Sequence, residues 1–291
     1  MAMNTDLYKD YLFQILSNRL SAQGLEWLQK QLNNLSSEKD FYLAFSMAPR
    51  FTGKMPLQLS AAELQQAQQL RPGFNPTSWT LDQASRTLLI LSMPHVSPED
   101  FVRILNKVFS NADLNESTTL YAALPLLPYP ESHVKRAAEG VRTTMTQVFD
   151  AIALHNPYPH DYLPEAAWNQ LVIKSVFNVR PLHQIYGLDA RRNENLANML
   201  VDYAHERWAA GRTLTPELWR LVGPFIKLNN IPDLEKLFNS PEEIQRQAAA
   251  LAISESNLPE AKALLDQHPL LKDELTTQAF TWETIGEKAY A

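Results

Sequence analysis

The placement of proline constrains this chain more than any other feature. There are 19 prolines in 291 residues, and they stand between stretches of helical periodicity rather than inside them. Proline lacks a backbone donor and clashes with the preceding turn, so helices start or stop where it occurs. Glycine is scarce at 8 residues, against a usual share of about 7%. Asn-Gly hairpin turns are absent and β-branched runs are few, which disfavours a sheet. The chain is expected to be all-α, built from short helices punctuated by proline.

Capping residues locate many of these helices. Ser21 opens a segment with Leu25, Leu28, Leu32 and Leu35 on one stripe, and Ser37 or Asp40 starts another through Phe41 and Phe45 that is expected to stop at Pro49. Ser60 with Glu63 forms a capping box ahead of a short helix ending before Pro72-Gly73. Further helices are predicted over 80–92, over 97–110 with Pro98 in the first position, and over 113–124. The longest is expected from Glu131 to about His155, with the stripe Val134, Ala138, Val141, Met145, Val148 and Ile152. A loop, Asn156-Pro-Tyr-Pro-His160, separates it from a helix that opens at Pro164 and buries Trp168, Leu171 and Val172.

Asn193 to Ala210 is the next long helix, closed by Gly211, with Leu196, Met199, Leu200 and Tyr203 read as its buried face. Beyond residue 231 the helices shorten into pairs. Ile244, Ala248, Leu251 and Ala252, followed after Pro259 by Ala261, Leu264 and Leu265, look like one unit of a HEAT-type repeat. The expected architecture is an irregular helical array, a HEAT/armadillo-like α-solenoid, with a compact helical bundle as the alternative. Residues 1–128 form an N-terminal helical region and residues 129–291 the remaining core, as two domains or one continuous one.

Composition narrows the function. A net charge of −6 and a pI near 5.7 argue against nucleic-acid or anionic-membrane binding, which needs clustered Lys and Arg. Without cysteine, disulfides, thiolate metal sites and cysteine nucleophiles are excluded. The N-terminal residues lack the basic and apolar regions of a signal peptide, and the apolar run Leu88–Leu91 is far short of the roughly 20 residues of a membrane helix. These features predict a cytoplasmic protein without membrane insertion. No phosphate loop, nucleophile elbow, His-Glu-x-x-His or dinucleotide fingerprint occurs, and no cofactor is predicted.

Residues 129–225 concentrate the chemistry, with five of the seven histidines between His133 and His205. Asp202, His205 and Glu206 share one helical surface. They form either a solvated face or, with His155 or His160, a metal shell. Arg207 continues the apolar stripe and should be partly covered, either paired to Glu139 or Asp150 or anchoring an anionic ligand. The face carrying Arg136, Glu139, Thr143 and Asp150 either lines a groove or is a solvated face with i, i+3 ion pairs. Asn156 and Asp161 can cap nearby helix ends, and His160 beside Tyr158 offers exposed chemistry.

Several segments carry a family resemblance: Arg136-Ala-Ala-Glu-Gly-Val-Arg142, Phe149-Asp-Ala-Ile-Ala-Leu-His-Asn-Pro-Tyr-Pro159, Ala167-Trp-Asn-Gln170, Asp202-Tyr-Ala-His-Glu-Arg-Trp-Ala-Ala-Gly-Arg212 and Glu217-Leu-Trp-Arg220. In combination, over roughly residues 120–225, the sequence resembles the EboA family. Members are encoded beside a prenyltransferase-like membrane protein, a TIM-barrel metal-hydrolase-like protein and a sugar-phosphate-cyclase-like protein, in a cluster associated with making or exporting a small-molecule precursor. The resemblance implies a small metabolite, or other proteins of the same pathway, as partner. It brings no assigned catalytic residues. Arg136, Glu139, Arg142, Asp150, His155, Asn156, Asp202, His205, Arg207 and Arg212 are candidates by position in the shared segments. Two functions are expected to compete: a helical binding or adaptor protein, and a metal-dependent or acid–base enzyme using His155, His160, Asp202, His205 or Glu139.

Overall fold

A computed structural model describes residues 5–94 and 97–290. The leader reading rests partly on residues 1–4, which lie outside the described residues. The described chain is all-helical and contains no strand. It divides into two compact units, Met1–Pro164 and Glu165–Ala291. No helix among the described residues is long and apolar enough to cross a membrane.

The first unit contains α1 (Thr5–Ser17), α2 (Ala22–Asn34), α3 (Glu38–Thr52), α4 (Ala61–Leu70), α5 (Leu81–Leu91), α6 (Pro98–Asn111), α7 (Leu114–Ala123), α8 (Val134–Val141), α9 (Thr146–Ala153) and α10 (Tyr158–Tyr162). The expected caps are in place. Ser21, Ser37, Ser97 and Asp113 each accept a hydrogen bond from a first-turn amide, and Ser60 with Glu63 closes the capping box. The centre is α5, buried at every position except Gln83 and packed against α1, α3 and α7. Apolar residues all round a helix mean burial on all sides.

The structure departs from expectation at several places in this unit. Helix α3 does not stop at Pro49 but runs through it to Thr52, ending at Gly53 with φ 73°. Proline cannot donate to the carbonyl of residue 45, and that carbonyl accepts instead from Arg86 Nε at 3.0 Å. Arg86, nearly fully buried, also reaches Asp82 at 3.4 Å and Glu116 at 3.3 Å and lies 5.1 Å over the Phe45 ring. A proline-shaped gap in the backbone ladder is thus filled by a tertiary donor.

The single helix expected over 131–155 is interrupted. A 3-10 turn precedes α8, and the chain leaves the helix from Arg142 to Met145 before α9 begins. Thr143 Oγ1 accepts the Met145 amide at 3.2 Å, a local bond that competes with the helical ladder. Gly140, a poor helix former, sits where a Cβ would approach Tyr121 Cε1 to 2.4 Å. Met145, placed by periodicity on the buried stripe, is 52% exposed. The segment read as a loop after His155 contains the short helix α10.

The second unit contains α11 (Glu165–Phe177), α12 (Glu194–Ala209), α13 (Leu218–Val222), α14 (Ile231–Phe238), α15 (Glu243–Ser254), α16 (Pro259–Asp266), α17 (Pro269–Thr276) and α18 (Trp282–Ala289). Here α15 is the hub, packed against α13, α14, α16, α17 and α18. Its Ala248, Ala249, Ala250 and Ala252 are fully buried, and small side chains permit close approach. At Gly223 a Cβ would stand 2.8 Å from the Ala252 carbonyl oxygen. A helix with neighbours on every side makes a compact array, unlike a solenoid rung that meets only its neighbouring repeats.

Candidate ligand-binding site

Helix α12 begins at the Asn193 cap, whose side chain accepts the Leu196 amide. Its core stripe is Leu196, Ala197, Leu200, Val201 and Ala204. Met199 and Tyr203, read from periodicity as part of that stripe, do not join the core. Met199 is 49% exposed and Tyr203 half-buried. With Asn195 and Arg207 they form a second stripe at four-residue spacing.

This second stripe opens onto a cavity of about 580 Å³ between α11 and α12. Ala166, Ile173, Phe177, Met199 and Tyr203 supply its apolar walls, and Glu165, Asn169, Gln170, Lys174 and Asn195 its polar edge. Phe177 is 67% exposed, high for a large aromatic side chain. At one end Asn195 Nδ2 donates to Glu165 Oε1 at 3.2 Å. At the other, Tyr203 is shared with a smaller pocket of about 240 Å³, lined also by Val176, Arg207, Thr213, Thr215, Gln245 and Tyr290. Arg207 Nε and Nη2 donate to the Thr213 carbonyl at 3.3 and 3.0 Å. Gln245 Nε2 donates to the Leu214 carbonyl at 3.0 Å, so two side chains pin the connection from α12 to α13. Beyond it lies a second pocket of about 580 Å³, lined by Trp208, Arg212, Lys236 and Asn239 among others.

The partner expected for Arg207 was a carboxylate, Glu139 or Asp150. Instead its guanidinium holds a carbonyl of its own connection, because that loop folds back over the last turn of α12. Glu139 accepts from Arg136 Nη1 at 2.9 Å, while Arg136 Nη2 reaches Asn106 at 3.2 Å and its guanidinium lies 5.0 Å over Phe109. Arg142 is exposed at the end of α8, and Asp150 is half-buried on α9.

His155 has φ 55°. Asn156, buried, donates to the carbonyls of Tyr121 at 3.0 Å and Ala151 at 2.9 Å and accepts the Tyr158 amide at 3.0 Å. His160 Nδ1 stands 2.7 Å from Asp161, which pairs with Arg71. Asp202 is exposed. His205 Nε2 lies 2.7 Å from the buried Asp233, and its ring lies beside Trp208 one turn further along α12, an arrangement that orients an imidazole. Arg212 is exposed at the second large pocket. Among the described residues no group of three or more His, Asp or Glu side chains is placed to hold a metal ion.

Glu217 and Arg220, two further residues of the shared segments, organise the second unit from inside. Glu217 is fully buried, accepts the Leu182 amide at 2.9 Å and stands 3.2 Å from His183 Nδ1. Burial pushes its carboxyl above the usual range, against the opposing pull of His183. Gly286 of α18 lies on this pair; a Cβ there would fall 2.3 Å from His183 Nδ1 and 2.7 Å from Glu217 Oε1. Arg220 grips Asp189 through two bonds of 2.7 and 2.6 Å and reaches Glu283 of α18 at 2.9 Å. The motif therefore anchors the C-terminal helix.

Ile173, Phe177, Met199, Tyr203 and Gln245 were not singled out as site residues from sequence. For Met199 and Tyr203 the signal was present in α12, which carries more apolar side chains than one core stripe requires.

The described chain is an all-helical protein whose second unit carries three open pockets along α12 and the connection that follows it. The chain belongs to the EboA family: the family model described as metabolite traffic protein EboA matches residues 8–223. No curated protein and no solved structure matches the chain.

Proposed function

We propose that the chain is a cytoplasmic binding protein for a small, largely apolar metabolite, held between α11 and α12. The observation carrying this reading is the cavity of about 580 Å³ walled by Ile173, Phe177, Met199 and Tyr203. Its size falls in the range of small-molecule sites, and its apolar walls with a few polar groups at the edge match their usual chemistry. The family description, metabolite traffic protein, agrees with a carrier role. Polar residues at the edge can orient a ligand, while apolar walls supply about 25 cal/mol for each Å² removed from water.

The test is titration of the full chain with the neutral, environment-sensitive dye Nile red. Met199→Trp, which fills the cavity, is expected to weaken dye binding about tenfold or more. Leu270→Trp, at a side chain 78% exposed on α17, should leave it unchanged. Equal binding by both variants and the wild type would remove the cavity from consideration.

A further inference from the structure

The two pockets share Tyr203 as a lining residue and follow one face of one helix. Asn195 and Met199 line the larger cavity, Tyr203 lines both, and Arg207 lines the smaller. From 195 to 207 is twelve residues, or about 18 Å of helix at 1.5 Å per residue. Helix α11 lines the space in the same order, with Glu165 and Ala166 at the Asn195 end, Ile173 in the middle and Val176 in the smaller pocket. The result is an elongated track whose two ends differ in charge.

At the Asn195 end stands the carboxylate of Glu165, holding Asn195. At the other end stands Arg207, whose Nε and Nη2 are engaged by the Thr213 carbonyl, leaving the two N–H groups of Nη1 for a ligand. The Thr213 and Thr215 side chains flank it in the smaller pocket. Lys174 also lines the track. Glu242 is the carboxylate at the small pocket; like Glu165 it is exposed, so water and salt screen both carboxylates, whereas Arg207 is half-buried.

Helix dipoles act in the opposite sense. The starts of α11 and α12, at the Glu165 end, favour an anion weakly, but Glu165 already occupies one and the Asn193 side chain caps the other. A charge-assisted hydrogen bond to a guanidinium is stronger than the pull of a capped helix end, so the Arg207 end prevails.

Resting on the binding role proposed above, we infer that the ligand is an elongated amphiphilic acid: an apolar body lying along Met199, Ile173 and Phe177, with a carboxylate or phosphate end group hydrogen-bonded to Arg207 Nη1. Arg207 is then the residue that sets specificity, and the polarity of the track fixes the direction in which the ligand enters.

The experiment compares dodecanoate, dodecyl phosphate, dodecanol and dodecylammonium as competitors of Nile red on the full wild-type chain, below their micelle-forming concentrations. One or both acids are expected to bind about tenfold tighter than dodecanol, with dodecylammonium weakest, and the ratio between the acids tells which head group is preferred. The advantage of the acids should shrink as salt is raised. Arg207→Gln, which keeps one donor for the Thr213 carbonyl, should reduce that advantage to near unity by weakening the acids far more than dodecanol. Dodecanol binding as tightly as both acids to the wild type overturns the inference but leaves an apolar site intact. Failure of the dye itself and of all four probes to bind overturns both readings. The wild-type comparison needs no variant, so an unstable Arg207→Gln protein does not obscure the result.

Discussion

Asn156 separates a structural from a ligand-binding account of the segment around the proline-rich stretch. Its amide makes three hydrogen bonds, two donated to the carbonyls of Tyr121 and Ala151 and one accepted from the Tyr158 amide, all but that to Ala151 fully buried. The first ties α7 to the end of α9, and the last starts α10. Asn156→Ala deletes all three. At about 1 kcal/mol net for each bond, the loss comes to about 3 kcal/mol, and more if the orphaned groups stay dry. Asn156→Asp keeps the acceptor for Tyr158 but turns an oxygen toward two carbonyls and buries a charge. It should cost at least as much as Ala at neutral pH and recover as acid protonates the new carboxyl, which can then donate one bond. Equilibrium urea denaturation gives the free energies. Hydrogen exchange of peptides spanning 146–163 should show the loss there, with α12 and α15 protected as in the wild type. A cost below about 1 kcal/mol for Asn156→Ala would refute the structural assignment and return the residue to the list of ligand contacts.

Two further perturbations address the interior of the second unit. Burial raises the Glu217 carboxyl pKa, so the folded chain holds that proton at higher pH than the unfolded chain. The group's stabilising contribution is complete below the unfolded value and is lost as pH rises through the raised one. Glu217→Gln, which can still accept from the Leu182 amide, should remove this slope and gain on the wild type as pH rises, read from urea midpoints across that window; a variant that loses ground with pH would mean the ionised carboxylate is required. Gly286→Ala places a methyl group against His183 and Glu217 and should cost about 1–3 kcal/mol through overpacking, with faster hydrogen exchange over 282–289. Unchanged exchange there would show that α18 does not rest on this pair.

The family resemblance was legible in segments that carry out quite different tasks. Arg136 and Glu139 pair with each other, Asn156 staples three backbone groups, and Glu217 and Arg220 hold α18. Arg207 and Arg212 border pockets. A motif shows that a residue recurs in a pattern, but the partner that gives it a role comes from another part of the chain.

Local chemistry was enough to place the caps at Ser60, Ser97 and Asp113, because a cap is made by side chains within four residues of the bond they satisfy. It also established the all-helical class, since proline, glycine and apolar spacing act on the backbone within a turn or two. Tertiary structure decided what those rules cannot reach. Arg86, far along the chain, takes the carbonyl that Pro49 leaves open, so α3 continues past it. The interruption at 142–145 combines a local threonine bond with the packing of Gly140 against Tyr121. Met199 and Tyr203 have the spacing of core residues, yet they line an open pocket beside the packed faces of α11 and α12. Periodicity identifies the apolar face of a helix, but only the packing of distant elements determines whether protein or a ligand covers it.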